Sequence, residues 1–251
     1  MRQYMKFASI GIVAWLATGV ANAAEIKVIA SVGVRAVLTD LAPAFERASG
    51  HKVSIVYGTA VPLKRQIDSG ETFDVVVLVP TMLDDLVKQT RVLAGTSTDV
   101  AKVGVGIAVR KGEPKPDISS ADTFRKTMLA AKSVTYTKES QTSAVLMPVM
   151  DRLGIVGEMT PKTILETSSS ATAQNVADGK AELGFILISE ILPIKDIELA
   201  GPLPAELQRY VVFTAGIGAT SKDTAAARAF IDFLKAPAAV PVLKANGMEP
   251  A

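Results

Sequence analysis

Four short turns carry the residues of this chain best suited to chemistry, and that chemistry is the holding of an anion. Each follows an apolar β-branched run and precedes an amphipathic one: Ser31-Val32-Gly33-Val34-Arg35, Gly58-Thr59-Ala60-Val61, Ser140-Gln141-Thr142-Ser143 and Thr167-Ser168-Ser169-Ser170. A helix start offers unpaired backbone N–H groups and a partial positive charge, and Ser or Thr hydroxyls add further donors. Taken singly, each turn reads better as an ordinary helix cap, because Ser and Thr are favoured there. Four of them on strand-to-helix junctions would converge at strand ends, where open α/β sheets hold ligands. Arg35 adds a cation beside the first turn, placed either to grip a carboxylate bidentately or to stand solvated at the rim.

Covalent and metal chemistry find little to work with. The chain has no Cys and one His. That residue, His51, sits in the turn Gly50-His51-Lys52, where a solvated surface role is expected. No Gly-x-Ser-x-Gly elbow is present. His/Cys metal clusters are excluded, and Asp84, Asp85 and Asp122 fall on exposed helical stretches, so neither metal nor cofactor is expected. Gly104-x-Gly106 lacks the third glycine of a dinucleotide fingerprint and falls inside a strand. Acid–base work would fall to Glu139, Glu190 or Tyr136, candidates by position alone.

Residues 1–23 read as an export signal. Arg2 and Lys6 precede an apolar run from Phe7 to Val20, and Ala21-Asn22-Ala23 supplies a small-x-small cleavage pattern. The run is shorter than the ~20 residues a spanning helix needs. Without this segment, which takes Arg2 and Lys6, the chain carries 25 basic against 25 acidic residues. Near-neutrality argues against nucleic acid or an anionic membrane as partner. The only Trp, Trp15, belongs to the signal. With aromatics at 5%, a sugar-stacking platform is not expected.

The elements that must position the four turns follow from periodicity. Strands are expected at 26–30, 53–57 and 73–79, the last (FDVVVLV) apolar on both faces as in a buried parallel sheet. Helices are expected at 34–48, closed by Ser49-Gly50, and at 62–69 and 81–89. A long Gly/Val strand covers 102–110, and the loop after it ends in a cap at Ser119 or Ser120. A second series follows: helix 121–131, strand 133–136, helix 142–153, strand 163–166, helix 169–177 and strand 183–188. A second long Gly-containing strand, 210–219, and helices at 222–235 and 238–245 complete the chain. The order is α/β. The two long strands suggest two lobes with two crossovers, able to close on a ligand; one continuous sheet is the other reading.

The stretch 26–79, with LKRQIDSGETFDVV its most specific part, resembles the N-terminal lobe of periplasmic molybdate-binding proteins of ABC transporters. The resemblance continues through DRLGI, DGKAELGFILISE and ARAFIDFLKAPAAVPVLKANGMEP and covers nearly the whole exported chain. It implies a type II periplasmic-binding-protein fold of two α/β lobes joined by two crossover strands. Lobe 1 is expected over 24–103 and 210–251, and lobe 2 over 104–209. It also implies a periplasmic monomer that captures a small anion and hands it to an inner-membrane ABC permease. The implied ligand residues are Ser31, Gly33, Arg35, Thr59, Ala60, Ser140, Thr142, Ser143, Ser169 and Leu187. Three of these depart from the family's pattern. Gly33 and Ala60 stand where pocket serines are expected, and Leu187 stands near a ligand tyrosine. The missing donors, with the SVGV turn, RKGEPKPDIS and ISEILP, are similar to a divergent subgroup that includes periplasmic aconitate isomerase. The ligand is then a carboxylate or a molybdate-like oxyanion, and the alternative activity is isomerisation of a small tricarboxylate.

Overall fold

The computed structural model describes residues 23–251, so the export signal lies outside the described residues but for Ala23. Strand β1 (Glu25–Ser31) leads through a 3-10 turn, Val32–Val34, into α1 (Arg35–Ser49). Then come β2 (Lys52–Gly58), α2 (Ala60–Asp68), β3 (Val75–Leu78), α3 (Pro80–Lys88) and β4 (Thr98–Val103). After Gly104 follow β5 (Val105–Arg110), α4 (Ala121–Ala130), β6 (Val134–Thr137), α5 (Gln141–Arg152) and α6 (Val156–Met159). Next are β7 (Thr163–Glu166), α7 (Ser169–Ala177), β8 (Leu183–Leu187), α8 (Ile188–Ile191) and β9 (Ile197–Pro202). The chain ends in β10 (Val211–Ile217), α9 (Thr224–Lys235), α10 (Val240–Ala245) and β11 (Met248–Glu249).

Local chemistry explains most of these elements. Helix α1 buries Val37, Leu38, Leu41 and Phe45 on one face, and it ends at Gly50, whose φ of 77° only glycine adopts freely. Its Phe45 packs edge-on against Phe230 and Phe233 of α9. All four residues of β3 are buried, as the FDVVVLV run requires of a central strand. Ser120 caps α4 through a reciprocal box with Thr123.

The strands form two sheets, ordered β11-β4-β10-β3-β1-β2 and β7-β6-β8-β5-β9. Both contain the same unit. A first strand (β1 or β6) lies between its parallel partners, β2 and β3 in one sheet, β7 and β8 in the other. The third strand then meets an antiparallel one, β10 or β5. The molecule is therefore two α/β lobes, each presenting its helix starts from the parallel strand ends.

Three expectations need correction. The strand expected over 102–110 is two strands, β4 and β5, in different sheets, divided at Gly104. The apolar alternation runs straight across the lobe boundary, so periodicity cannot see the break. The other long strand, β10, lies wholly in the first sheet, and the second crossover is the segment 203–210 before it. Finally, β9, β11 and the short α6 and α8 were not expected. The two helices are single turns, β11 has two residues, and β9 buries only Ile197, so none of them shows an apolar face in sequence.

The two crossovers touch. From the second, Gln208 Nε2 donates to the Val105 carbonyl at 3.2 Å. A Cβ on Gly104 would sit 1.8 Å from that same nitrogen. The Gln208 amide thus occupies the side-chain space of Gly104. Gly104→Ala should push the Gln208 amide aside, break a part-buried hydrogen bond and destabilise the fold by about 0.5–1.5 kcal/mol. Urea unfolding monitored by circular dichroism measures the effect.

Candidate functional site

The two repeated units face each other, and their helix starts build a cradle between the lobes. From lobe 1 come Ser31 and Gly33 after β1, and Thr59 and Ala60 after β2. Lobe 2 supplies Ser140 and Thr142 after β6, Ser169 after β7 and Leu187 at the end of β8. These eight line one narrow cavity of about 20 Å3, together with Glu190. That is space for about one water molecule. Ser143 does not line it, and Arg35 lines an adjoining chamber instead.

The lobes use their hydroxyls differently. Ser140 Oγ accepts from the Ser143 backbone N–H at 3.2 Å and donates to the Thr137 carbonyl. Ser143 Oγ in turn accepts from the Ser140 N–H at 3.0 Å. Both are spent on capping α5, the ordinary role that the sequence left open for them. Ser168 likewise caps α7 by accepting from the Ala171 N–H. In lobe 1, by contrast, neither Ser31 nor Thr59 caps its own helix. Their hydroxyls stay available to a ligand, along with the first N–H groups of the 3-10 turn and of α2.

Gly33 is locked as glycine by packing. A Cβ there would lie 2.5 Å from Phe213 Cζ and 2.9 Å from Leu187 Cδ1. Its carbonyl accepts a buried hydrogen bond of 2.7 Å from Ser189 Oγ of α8, across the lobes. A serine at position 33 has no room, and Leu187 holds the place where a donor is missing. The cleft mouth is spanned by a 3.9 Å ion pair between Arg65 of α2 and Glu139. Both side chains are well exposed, so the pair adds little stability. Glu139 holds a left-handed φ of 46°, unusual for a non-glycine residue.

The adjoining chamber, about 420 Å3, lies between α1, α7 and α8. Arg35 stands at the first turn of α1, its Cζ 4.9 Å from the centre of the Tyr57 ring. A cation at a helix start opposes the helix dipole, so it costs the helix slightly and deepens the positive field of the cleft. Glu190 is shared by both compartments. The residue is half-buried as a whole, but its Oε1 is fully buried with no hydrogen-bond partner. Burial pushes its carboxyl up to about 7, against the opposing pull of the Ser169 hydroxyl, the Leu187 backbone and the Arg35 cation.

Of the other residues singled out by type, His51 is half-buried rather than solvated. Its Nδ1 accepts from the Ala24 N–H at 3.1 Å and its ring stacks on Phe45. Tyr136 is a core residue whose hydroxyl donates to Met147 Sδ. Asp84, Asp85 and Asp122 are exposed. Among the described residues, no group of three His, Asp or Glu is placed to hold a metal ion. Ser189 was missed by sequence reasoning. The available signal was Ser189-Glu190 inside the apolar run from Phe185 to Leu192, a polar pair that only a buried partner or a ligand explains.

Comparison with known proteins agrees with this geometry. Residues 26–249 match the family model described as bacterial extracellular solute-binding protein. The chain is 28% identical over 230 residues to an aconitate isomerase of Pseudomonas sp, covering 90% of this chain and 87% of that one. It is 32% identical over 233 residues to the molybdate-binding protein ModA of Azotobacter vinelandii, covering 90% of each. The solved structure of the Azotobacter vinelandii periplasmic molybdate-binding protein superposes with a TM-score of 0.76 at 22% identity, over 90% of this chain and 99% of that one. With two lobes of repeated topology, facing helix starts and these matches, the chain belongs to the bacterial extracellular solute-binding proteins of the ModA-like kind.

Proposed function

We propose that this chain is the periplasmic receptor of an ABC importer and that its ligand is a small carboxylate. Lobe 1 is taken as 24–103 and 210–251, lobe 2 as 104–209. The lobes close on the anion and present it, as a monomer without cofactor, to an inner-membrane permease. The observation that carries this reading is the cradle itself: helix starts from both lobes, with Ser31 and Thr59 uncapped and Arg35 beside them. A carboxylate is favoured over a molybdate-like oxyanion because a tetrahedral anion needs donors on all sides to replace its hydration. Gly33, Ala60 and Leu187 offer no side-chain donor, and Gly33 has no room for one. Arg35 suits a planar carboxylate. A ligand that binds only the native state raises the melting temperature. Thermal shift should therefore respond to citrate, cis- and trans-aconitate or other di- and tricarboxylates. A response to micromolar molybdate or tungstate, with none to carboxylates, would defeat the assignment.

A second reading is isomerisation of a tricarboxylate, and one observation favours it. Glu190 lies in the cleft with its carboxyl raised to about 7, the value suited to a group that both takes and returns a proton near neutrality. Its role would be to remove a proton from the carbon beside a carboxylate that Arg35 and the helix starts hold. Conversion of trans- to cis-aconitate, followed by ultraviolet absorbance and abolished in Glu190→Gln, tests this directly. An inert wild-type protein rules it out.

A further inference from the structure

Glu190 stands where the cradle and the adjoining chamber meet, and it lines both. We propose that Glu190 holds a proton in the loaded cleft and donates it to the bound anion, so that this chain takes up one proton with its ligand. This rests on the cleft taking an anion, and it holds for a carboxylate and an oxyanion alike.

Contact is the first argument. The cradle has room for about one water, so an anion held there by the helix starts meets the Glu190 wall. Two negative groups sharing so small a site do not both stay ionised, and one of them takes a proton. The ligand's charge is held by the Ser31 and Thr59 hydroxyls and the free N–H groups beside them. Glu190 is held less well, because its Oε1 is buried with no hydrogen-bond partner. The proton therefore goes to Glu190, and the protonated carboxyl becomes a donor where the anion needs one.

The charges around Glu190 are the second argument. Among the described residues that line either compartment, Arg35 is the one cation and Asp40 the other carboxylate, both from α1. Helix α7 offers the Ser169 hydroxyl and β8 the Leu187 backbone. Of the strands packed against α8, β5 carries Arg110, which pairs with Glu113, and β9 carries Glu198; none of the three lines the cleft. At the mouth, Arg65 and Glu139 pair with each other. Arg35 is thus the cation that favours an ionised Glu190, and an incoming anion competes for it. Loading then removes the pull that keeps the carboxyl from rising further.

The sign of the coupling follows by reciprocity: an anion that favours the protonated carboxyl binds more tightly when the proton is present. In the free protein the carboxyl sits at about 7. Below that value the proton is already in place and affinity is insensitive to pH. Above it each ligand must bring a proton in, and affinity falls as pH rises.

Titration calorimetry with citrate, fumarate and molybdate, in buffers of different ionisation enthalpy, counts the protons taken up. The wild-type protein is expected to take up more than roughly half a proton per ligand at pH 8, and to bind at least tenfold more weakly at pH 8.5 than at pH 6.5. Glu190→Gln keeps a donor that does not titrate. Its difference from the wild type also removes any proton that the ligand itself exchanges. Uptake and pH dependence should both disappear in this variant. His51 is unchanged there and stands before β2, at the end of that strand away from the cradle. An anion that binds the wild-type protein without proton uptake overturns the proposal while leaving an anion receptor standing. So does a pH dependence that survives in Glu190→Gln. Binding of none of the three probes overturns the anion cleft, and the proton's role with it.

Discussion

Arg35→Met should lower carboxylate affinity about 10- to 100-fold while leaving the melting temperature of the free protein nearly unchanged. A hydrogen bond to a charged group is worth about 1.5–3 kcal/mol, and each 1.4 kcal/mol is tenfold in affinity. Arg35 is exposed and caps nothing, so its removal withdraws no core contact. Its loss even relieves the unfavourable cation at the start of α1. Besides its weak pull on the Glu190 carboxyl, the contact at stake is the stacking on Tyr57, and an exposed cation–π pair contributes only about 0.5–1 kcal/mol. Titration calorimetry with citrate, paired with thermal melts, separates the two roles. Undiminished affinity would leave Arg35 a rim residue packed on Tyr57 and remove it from the site.

Glu190→Gln should stabilise the ligand-free protein, and by an amount that grows with pH. The folded-state carboxyl sits near 7 against an ordinary value of 4.5. A raised acid means that the native state binds the proton more tightly than the unfolded state does. The wild-type protein therefore loses stability as pH rises from about 4.5 to about 7, and above 7 it carries the full cost of an ionised buried carboxylate. At 1.36 kcal/mol per pH unit that cost is about 3 kcal/mol, which a neutral glutamine avoids. For a chain of this size the difference is roughly 6–12 °C in melting temperature at pH 8, shrinking toward zero at pH 4. Melts of both proteins from pH 4 to pH 8 decide it. A pH-independent gap would mean that Glu190 is solvated and titrates normally.

What the sequence made legible, and what it hid, divides along physical lines. Helix α1 and strand β3 were readable because burial on one face or on both leaves a period in the residues themselves. The four turns were readable as helix starts because such starts attract Ser and Thr for local reasons. That same local chemistry obscured their roles, since Ser140 capping α5 and Ser31 facing the cleft are the same residue type before the same kind of helix. Only the hydrogen-bond partners separate them. The break at Gly104 was invisible because β4 and β5 keep one alternating pattern through it, and the two strands part only in the sheets they join. Glu190 was marked by position but not by role. Its importance comes from a buried, unpartnered oxygen and two adjoining cavities, which are properties of assembled lobes and of no single segment.

The contact of Gln208 with Gly104 also bears on how the cleft works. With a lone residue between β4 and β5, and the return segment pinned against it, the two sheets share a pivot and have no slack tether. Should the lobes open, as the proposed function requires, that pivot favours a swing over a slide, and the contacts it would have to break are Ser189 to the Gly33 carbonyl and Arg65 to Glu139.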